Sequence, residues 1–295
     1  MKKAILAILI LILCAAPLLF TACSNVSQRD LLTTGYSCSK TENAYELYRY
    51  DVYQADEEGR YTILVGEMTM KFEPLDYKTA DLYLPSASKE EGEKISKGYK
   101  GTLLSVDVKM TNSDAILSRV VYDSACLPYY SYKRTVIGGE KKEMQVTYGE
   151  KYLYADLYVN GTKASSVEHK KSNCYDNESL YAIVRASKVS ESSYSLSFTC
   201  VNALTGNADG ITISKAGTAE DTISLVTTDG VTERTVPTYI FTVSTDNQYA
   251  SSYAIEIAQE DQPVKSGEST VNAKKVIISI VEGAYKYSLK QIEIN

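Results

Sequence analysis

The chain has 295 residues, 44% apolar and 23% charged, with a formal charge of −6, which excludes a disordered polyampholyte and a multi-span membrane protein. The aromatic content is lopsided, with 25 Tyr, 4 Phe and no Trp, so aromatic area comes almost wholly from rings that carry a hydroxyl. The one histidine, His169, excludes a multi-histidine metal centre and any mechanism that needs two imidazoles.

Met1-Lys2-Lys3 is a basic start, residues 4–20 form an apolar run broken by Pro17, and the small residues Thr21-Ala22 precede Cys23. That is the layout of a secretory signal. Its run is at the short end of what spans a bilayer, and Pro17 with the polar residues after Cys23 argues against a retained membrane helix. Leu19-Phe20-Thr21-Ala22-Cys23 resembles a bacterial lipobox, with Phe20 where Leu is commoner. The resemblance implies that residues 1–22 are removed, that the Cys23 thiol carries a diacylglycerol, and that the protein partners a membrane through this N-terminal lipid anchor. The expected place is extracytoplasmic, at the outer membrane or cell surface. The expected mature chain has 295 − 22 = 273 residues, and without Lys2 and Lys3 its formal charge is −8. Such an acidic chain carries no electrostatic footprint for nucleic acid.

With Cys14 in the signal and Cys23 lipidated, Cys38, Cys126, Cys174 and Cys200 remain. Four cysteines allow three pairings, and their wide spacing matches no zinc pattern. Disulfides and buried thiols are both open readings, and Cys200 suits the second because it shares a strand face with Tyr194, Leu196 and Phe198.

Residues 24–42 are polar and read as a tether, so the chain divides into 1–22 signal, 23–43 lipidated cysteine and flexible tether, and 44–295 a single antiparallel β domain. Period-two alternation marks strands at 44–54 and 61–73, with Leu64, Met68, Met70 and Phe72 on one face and Asp56-Glu57-Glu58-Gly59 as the turn between them. A short strand at 81–84 precedes a charged loop or frayed helix at 86–100. Strands follow at 103–110, 117–122, 129–136, 142–148 and 151–159, with Asn112-Ser113-Asp114, Gly138-Gly139 and Gly149 as turns. Asn160-Gly161 is a type I′ hairpin signal, and such short connections join antiparallel neighbours. One segment has helical period, 176–186: Leu180, Ile183 and Val184 share a face, Asp176 or Asn177 caps it, and Glu178 suits its positive end. Further strands are expected at 194–201, 211–214, 222–226, 231–236, 238–244, 253–258, 275–281 and 285–294. Strands this long and numerous point to one large, strongly curved antiparallel sheet, a half-open barrel, with the short helix closing its mouth.

Tyr45-Glu46-Leu47-Tyr48-Arg49-Tyr50-Asp51-Val52 with Val65-Gly66-Glu67-Met68-Thr69-Met70 resembles the opening hairpin of a family of secreted bacterial proteins of unknown function. Asp123-Ser124-Ala125-Cys126-Leu127-Pro128 and the segment from Asp176 to Arg185 resemble that family's middle. Val236-Pro237-Thr238-Tyr239 and Gly283-Ala284-Tyr285-Lys286-Tyr287-Ser288-Leu289 are similar to its end. The family is likened to lipoprotein-carrier half-barrels of the LolA and LolB type, which implies a curved sheet whose apolar concavity holds acyl chains. It implies no activity and no catalytic residue, and the stretch 86–100 and the cysteines at 126, 174 and 200 depart from it.

Chemistry-bearing constellations are scarce. His169 falls in the polar stretch Val167-Glu168-His169-Lys170-Lys171, read as an exposed turn after a strand, with no nucleophile in a recognisable elbow. No phosphate loop or calcium loop is found, so no catalytic residue, metal site or cofactor is expected, and Asp176, Ser179 and Arg185 are read as capping and pinning the helix. The expected role is a non-enzymatic binding protein in which Met68, Met70, Phe72, Leu196 and Phe198 line a pocket for a lipid or other apolar ligand beneath Leu180, Ile183 and Val184. The alternative is a structural or interaction protein of the envelope, with tyrosine-rich surfaces contacting a protein or glycan.

Overall fold

The computed structural model describes residues 45–75, 101–122, 128–170, 174–186, 189, 194–202, 206–227, 230–246, 253–266 and 268–294. Cys23, the tether, Cys38, Cys126, the strand expected at 81–84 and the stretch 86–100 lie outside these. The first strands are β1 (Glu46–Ala55), β2 (Tyr61–Leu75), β3 (Gly101–Met110), β4 (Ala115–Tyr122), β5 (Pro128–Ile137), β6 (Glu140–Tyr148), β7 (Tyr152–Val159) and β8 (Thr162–Lys170). After β9 (Cys174–Asp176) comes the helix α1 (Ser179–Ala186), and then β10 (Ser195–Val201), β11 (Ala208–Thr227), β12 (Gly230–Thr245) and β13 (Tyr253–Ala258). A small hairpin, β14 (Gln262–Ser266) and β15 (Ser269–Ala273), precedes β16 (Ile277–Glu282) and β17 (Tyr285–Ile294).

Among the described residues fifteen strands form one sheet, in the order β8-β7-β6-β5-β4-β3-β2-β1-β17-β16-β13-β12-β11-β10-β9. The first and last strands are thus neighbours in its middle, with Glu46 opposite Ile294. Pairing is antiparallel except for β9 on β10 and one parallel contact of β11 with β17 at Leu225 and Ile292. The expected turns do their work: Gly138 and Gly139, and Asn160 and Gly161, all have positive φ, which is what a type I′ hairpin requires.

The sheet is bent rather than flat. On its inner side, Met144, Val146 and Tyr148 of β6 and Leu153, Ala155 and Leu157 of β7 bury together with Val201 of β10. His169 Nε2 lies 2.8 Å from the Gly206 carbonyl oxygen beside that contact. The two ends of the sheet therefore meet across its concave side, making the half-open barrel expected from strand number and length. The main core fills the rest of the concavity, with Tyr48, Tyr50, Met68, Met70, Phe72, Val106, Phe241, Ile255 and Ile280 each 3% exposed or less.

Several local expectations are corrected. The helix has eight residues, not eleven: Asp176 belongs to β9, and the turn runs through Asn177 and Glu178, whose carbonyls accept from Leu180 N and Tyr181 N. His169 is not in an exposed turn but near the end of β8, half-buried against the 206 turn. Leu64 is 56% exposed and does not share the face of Met68, Met70 and Phe72, because a bulge shifts the register between Val52 and Tyr53 and one inserted residue reverses the alternation. The strands expected at 211–214 and 222–226 are one strand of 20 residues, and those on either side of Pro237 are one of 16. Pro237 is tolerated because its carbonyl accepts from Gln259 N, on the side away from β11, so its missing N–H faces an edge where β13 pairing has stopped.

Candidate functional site

α1 sits on the concave side of the sheet, and its sequence explains why it is a plug rather than a surface helix. Leu180, Ala182, Ile183 and Val184 are 5% exposed or less, more than a single amphipathic stripe would bury. A helix of eight residues does not hold itself in water, so its stability comes from the walls it touches and from three polar attachments.

Two attachments lie at its start. The Glu178 carboxylate accepts from Lys133 Nζ of β5 at 2.7 Å, and Ser179 Oγ is 2.8 Å from the Tyr122 hydroxyl of β4. The negative charge of Glu178 also meets the positive end of the helix. Ser179 therefore ties the helix to the sheet.

The third attachment is at the other end. Arg185 donates through one terminal nitrogen to Glu46 Oε2 and to the Tyr48 hydroxyl at 3.2 Å, and through Nε to the Lys274 carbonyl at 2.9 Å. Glu46 also accepts from the Tyr48 hydroxyl at 2.6 Å and from Lys274 N at 3.3 Å. The guanidinium lies 4.2 Å from the Phe72 ring centre and 5.4 Å from that of Tyr48, and Glu46 and Arg185 are each 2% exposed. Taking one ion of such a pair away costs about 3–5 kcal/mol because the other is left charged and buried. Burial pushes the Tyr48 phenol well above its ordinary range, with Arg185 opposing and Glu46 adding to the shift. Burial raises Tyr50 likewise, and its hydroxyl donates to the Ile277 carbonyl at 3.0 Å.

Of the residues expected to line a ligand site, Met68 and Met70 are 1% and 0% exposed, Phe72 1%, Ile183 and Val184 0%, Leu180 5% and Phe198 4%, and Leu196 is partly buried against the same cluster. All eight come together on the concave side, with α1 against the sheet. Sequence reasoning missed the Glu46–Arg185 pair, although a signal exists: Glu46 is in phase with the inward-facing Tyr48, Tyr50 and Val52, and Arg185 ends an otherwise apolar helix. Asp176, expected to help cap α1, lies in β9. Cys200 is buried on the face it was expected to share with Phe198. Among the described residues no group of three His, Cys, Asp or Glu side chains is placed to hold a metal ion, and no helix is long and apolar enough to cross a membrane.

No protein-family model and no curated protein matches the sequence. The chain is similar to a crystal structure of a beta-barrel-like protein of a domain of unknown function from Brucella abortus, at 10% identity and a TM-score of 0.46, over 86% of this chain and 98% of that one.

Proposed function

We propose that the protein is a non-catalytic binding protein, held outside the cytoplasm by a lipid on Cys23, that takes an apolar ligand in its concave sheet in place of α1. The observation that supports this reading is the seating of α1: an eight-residue apolar segment fills the concavity lined by Met68, Met70, Phe72 and Phe198. A long acyl chain offers comparable apolar area, about 25 cal/mol for each Å² it buries, and needs no matching hydrogen bonds. The resemblance of the opening hairpin to a secreted family of unknown function, itself likened to lipoprotein-carrier half-barrels, points the same way.

A second reading is favoured by one specific observation. Met70, Ile183 and Val184 have no accessible surface, so a ligand enters only if α1 leaves. If α1 stays, the protein is a closed scaffold that contacts an envelope partner through outer-face rings such as Tyr152 and Tyr154, 38% and 46% exposed. A photoactivatable fatty acid added to the full chain in maltoside micelles separates the two, with labelled peptides mapped by mass spectrometry. Labels on the inward-facing residues of β1, β2 and β10 support the ligand site. Labels confined to outward-facing residues support the scaffold.

A further inference from the structure

At one end of the concavity the register sets a row of side chains across three strands. Tyr253 of β13 is opposite Glu282 of β16, which is opposite Tyr285 of β17. These share the inward face, because Ile255 and Ile280, two residues along the same strands, are core residues 0% and 1% exposed. Tyr287 is two residues beyond Tyr285 on that face, and α1 contributes Tyr181, which interacts electrostatically with Glu282, Tyr253 and Tyr287. Glu282 likewise acts electrostatically on Tyr253. All four rings pack against the main core and are partly accessible.

Among the described residues the charges at this mouth do not cancel. Glu178, the second carboxylate within reach, is paired with Lys133, whereas Glu282 has no ion-pair partner among the described residues. Lys215 rests on the Tyr239 ring at 4.6 Å, and Lys286, between Tyr285 and Tyr287, points to the opposite face by strand alternation. Burial pushes the phenols of Tyr181, Tyr253 and Tyr287 upward, so they stay neutral, and Glu282 is the carboxylate of this row that lacks an ion partner among the described residues. A partly buried carboxylate usually has a cationic partner, and ring faces are themselves attractive to cations.

We propose that Tyr181, Tyr253, Tyr285 and Tyr287 form an aromatic cage around Glu282 that binds an alkylammonium group. The donor set suits that cation better than a hard metal ion, since calcium takes six to eight oxygens and the cage offers one uncommitted carboxylate. The inference stands without the apolar-ligand reading and requires α1 in place, because Tyr181 belongs to it.

The test is calorimetric titration of the full chain in maltoside micelles with tetramethylammonium chloride and with n-butylammonium chloride. The neutral control is 3,3-dimethyl-1-butanol, at matched ionic strength. Saturable binding of at least one cation with a Kd of about 1–10 mM is expected, with the alcohol at least about tenfold weaker. The better-bound cation tells whether the natural source carries a quaternary ammonium, as some lipid headgroups do, or a primary one. Glu282→Gln weakens cation binding by about tenfold or more, while Tyr253→Phe, which keeps the ring, changes it by less than about threefold. Unfolding midpoints of both variants establish that they are folded. No saturable binding of either cation, equal binding of the alcohol, or an unchanged affinity in folded Glu282→Gln overturns the proposal.

Discussion

Replacing Arg185 by Met keeps most of the apolar volume over Phe72 but leaves the Glu46 carboxylate, 2% exposed, with only the Tyr48 hydroxyl and Lys274 N as donors. The expected loss is about 3–5 kcal/mol, which for a domain of this size lowers Tm by about 6–20 °C. Glu46→Met costs a similar amount, since it strands the guanidinium instead. The double variant removes both charges. What then remains is the lost acceptor for Tyr48 and Lys274 N and the lost donor for the Lys274 carbonyl, about 1–3 kcal/mol for each group left buried without a partner, and each of these losses is already contained in one of the single variants. The two single losses should therefore exceed the double loss by about 1–3 kcal/mol, a coupling well above the few tenths found for independent sites. Chemical unfolding of the full chain in maltoside micelles, followed by circular dichroism, measures all four corners of the cycle. Additivity within about 0.5 kcal/mol would refute the claim that this pair is what holds the end of α1 to the sheet.

Three more outcomes are expected. A Cβ at Gly66 would lie 2.4 Å from the Lys109 carbonyl oxygen, so Gly66→Ala should destabilise by about 1–3 kcal/mol; a midpoint equal to wild type in thermal unfolding would contradict the tight β2–β3 approach. The phenols of Tyr48 and Tyr50 are raised by burial above their unfolded value near 10, so they hold their protons in the folded state. Their contribution is intact below about pH 10 and declines as pH rises further, by about 2.7 kcal/mol per pH unit for the two together. With no Trp in the chain, tyrosinate absorbance reads this cleanly: a cooperative step with unfolding should follow the titration of exposed rings, and one smooth titration near pH 10 would argue against burial. Finally, Cys23→Ser should abolish incorporation of a labelled fatty acid and release the protein from membranes on fractionation; label retained in that variant would remove the lipid anchor from the account.

The parts of the fold that were legible in the sequence are those where a periodic signal runs long enough to be unambiguous. The alternation from Tyr45 to Gln54 and the paired glycines at 138 and 139 translate directly into β1 and the β5–β6 hairpin. Short elements carry no such signal: β9 has three residues, and β14 and β15 have five each. The outward position of Leu64 is not legible in the sequence, because a bulge is a two-strand event, set by register with β1 and invisible within β2. His169 reads as a turn residue in the sequence since Thr162–Lys170 is a polar edge strand, the composition by which sheets protect a free edge. The candidate site divides in the same way. Its apolar wall was visible as matched strand faces, but Glu46 and Arg185 are 139 residues apart, and Tyr181, Tyr253 and Glu282 meet only because the sheet curls around α1. The tyrosines in and just before β1 split by face, Tyr48 and Tyr50 inward and buried, Tyr45 and Tyr53 outward, which explains how one chain uses so many of these rings.

If α1 occupies the place of an apolar ligand, a ligand that enters must displace it, and hydrogen exchange of the α1 amides reports that displacement. Exchange is followed by mass spectrometry on the full chain in maltoside micelles, with and without excess palmitate. Peptides covering 179–186 are expected to lose protection when palmitate is present while peptides of β1 keep theirs. Protection of α1 that equals that of β1 and does not change with palmitate would contradict that displacement.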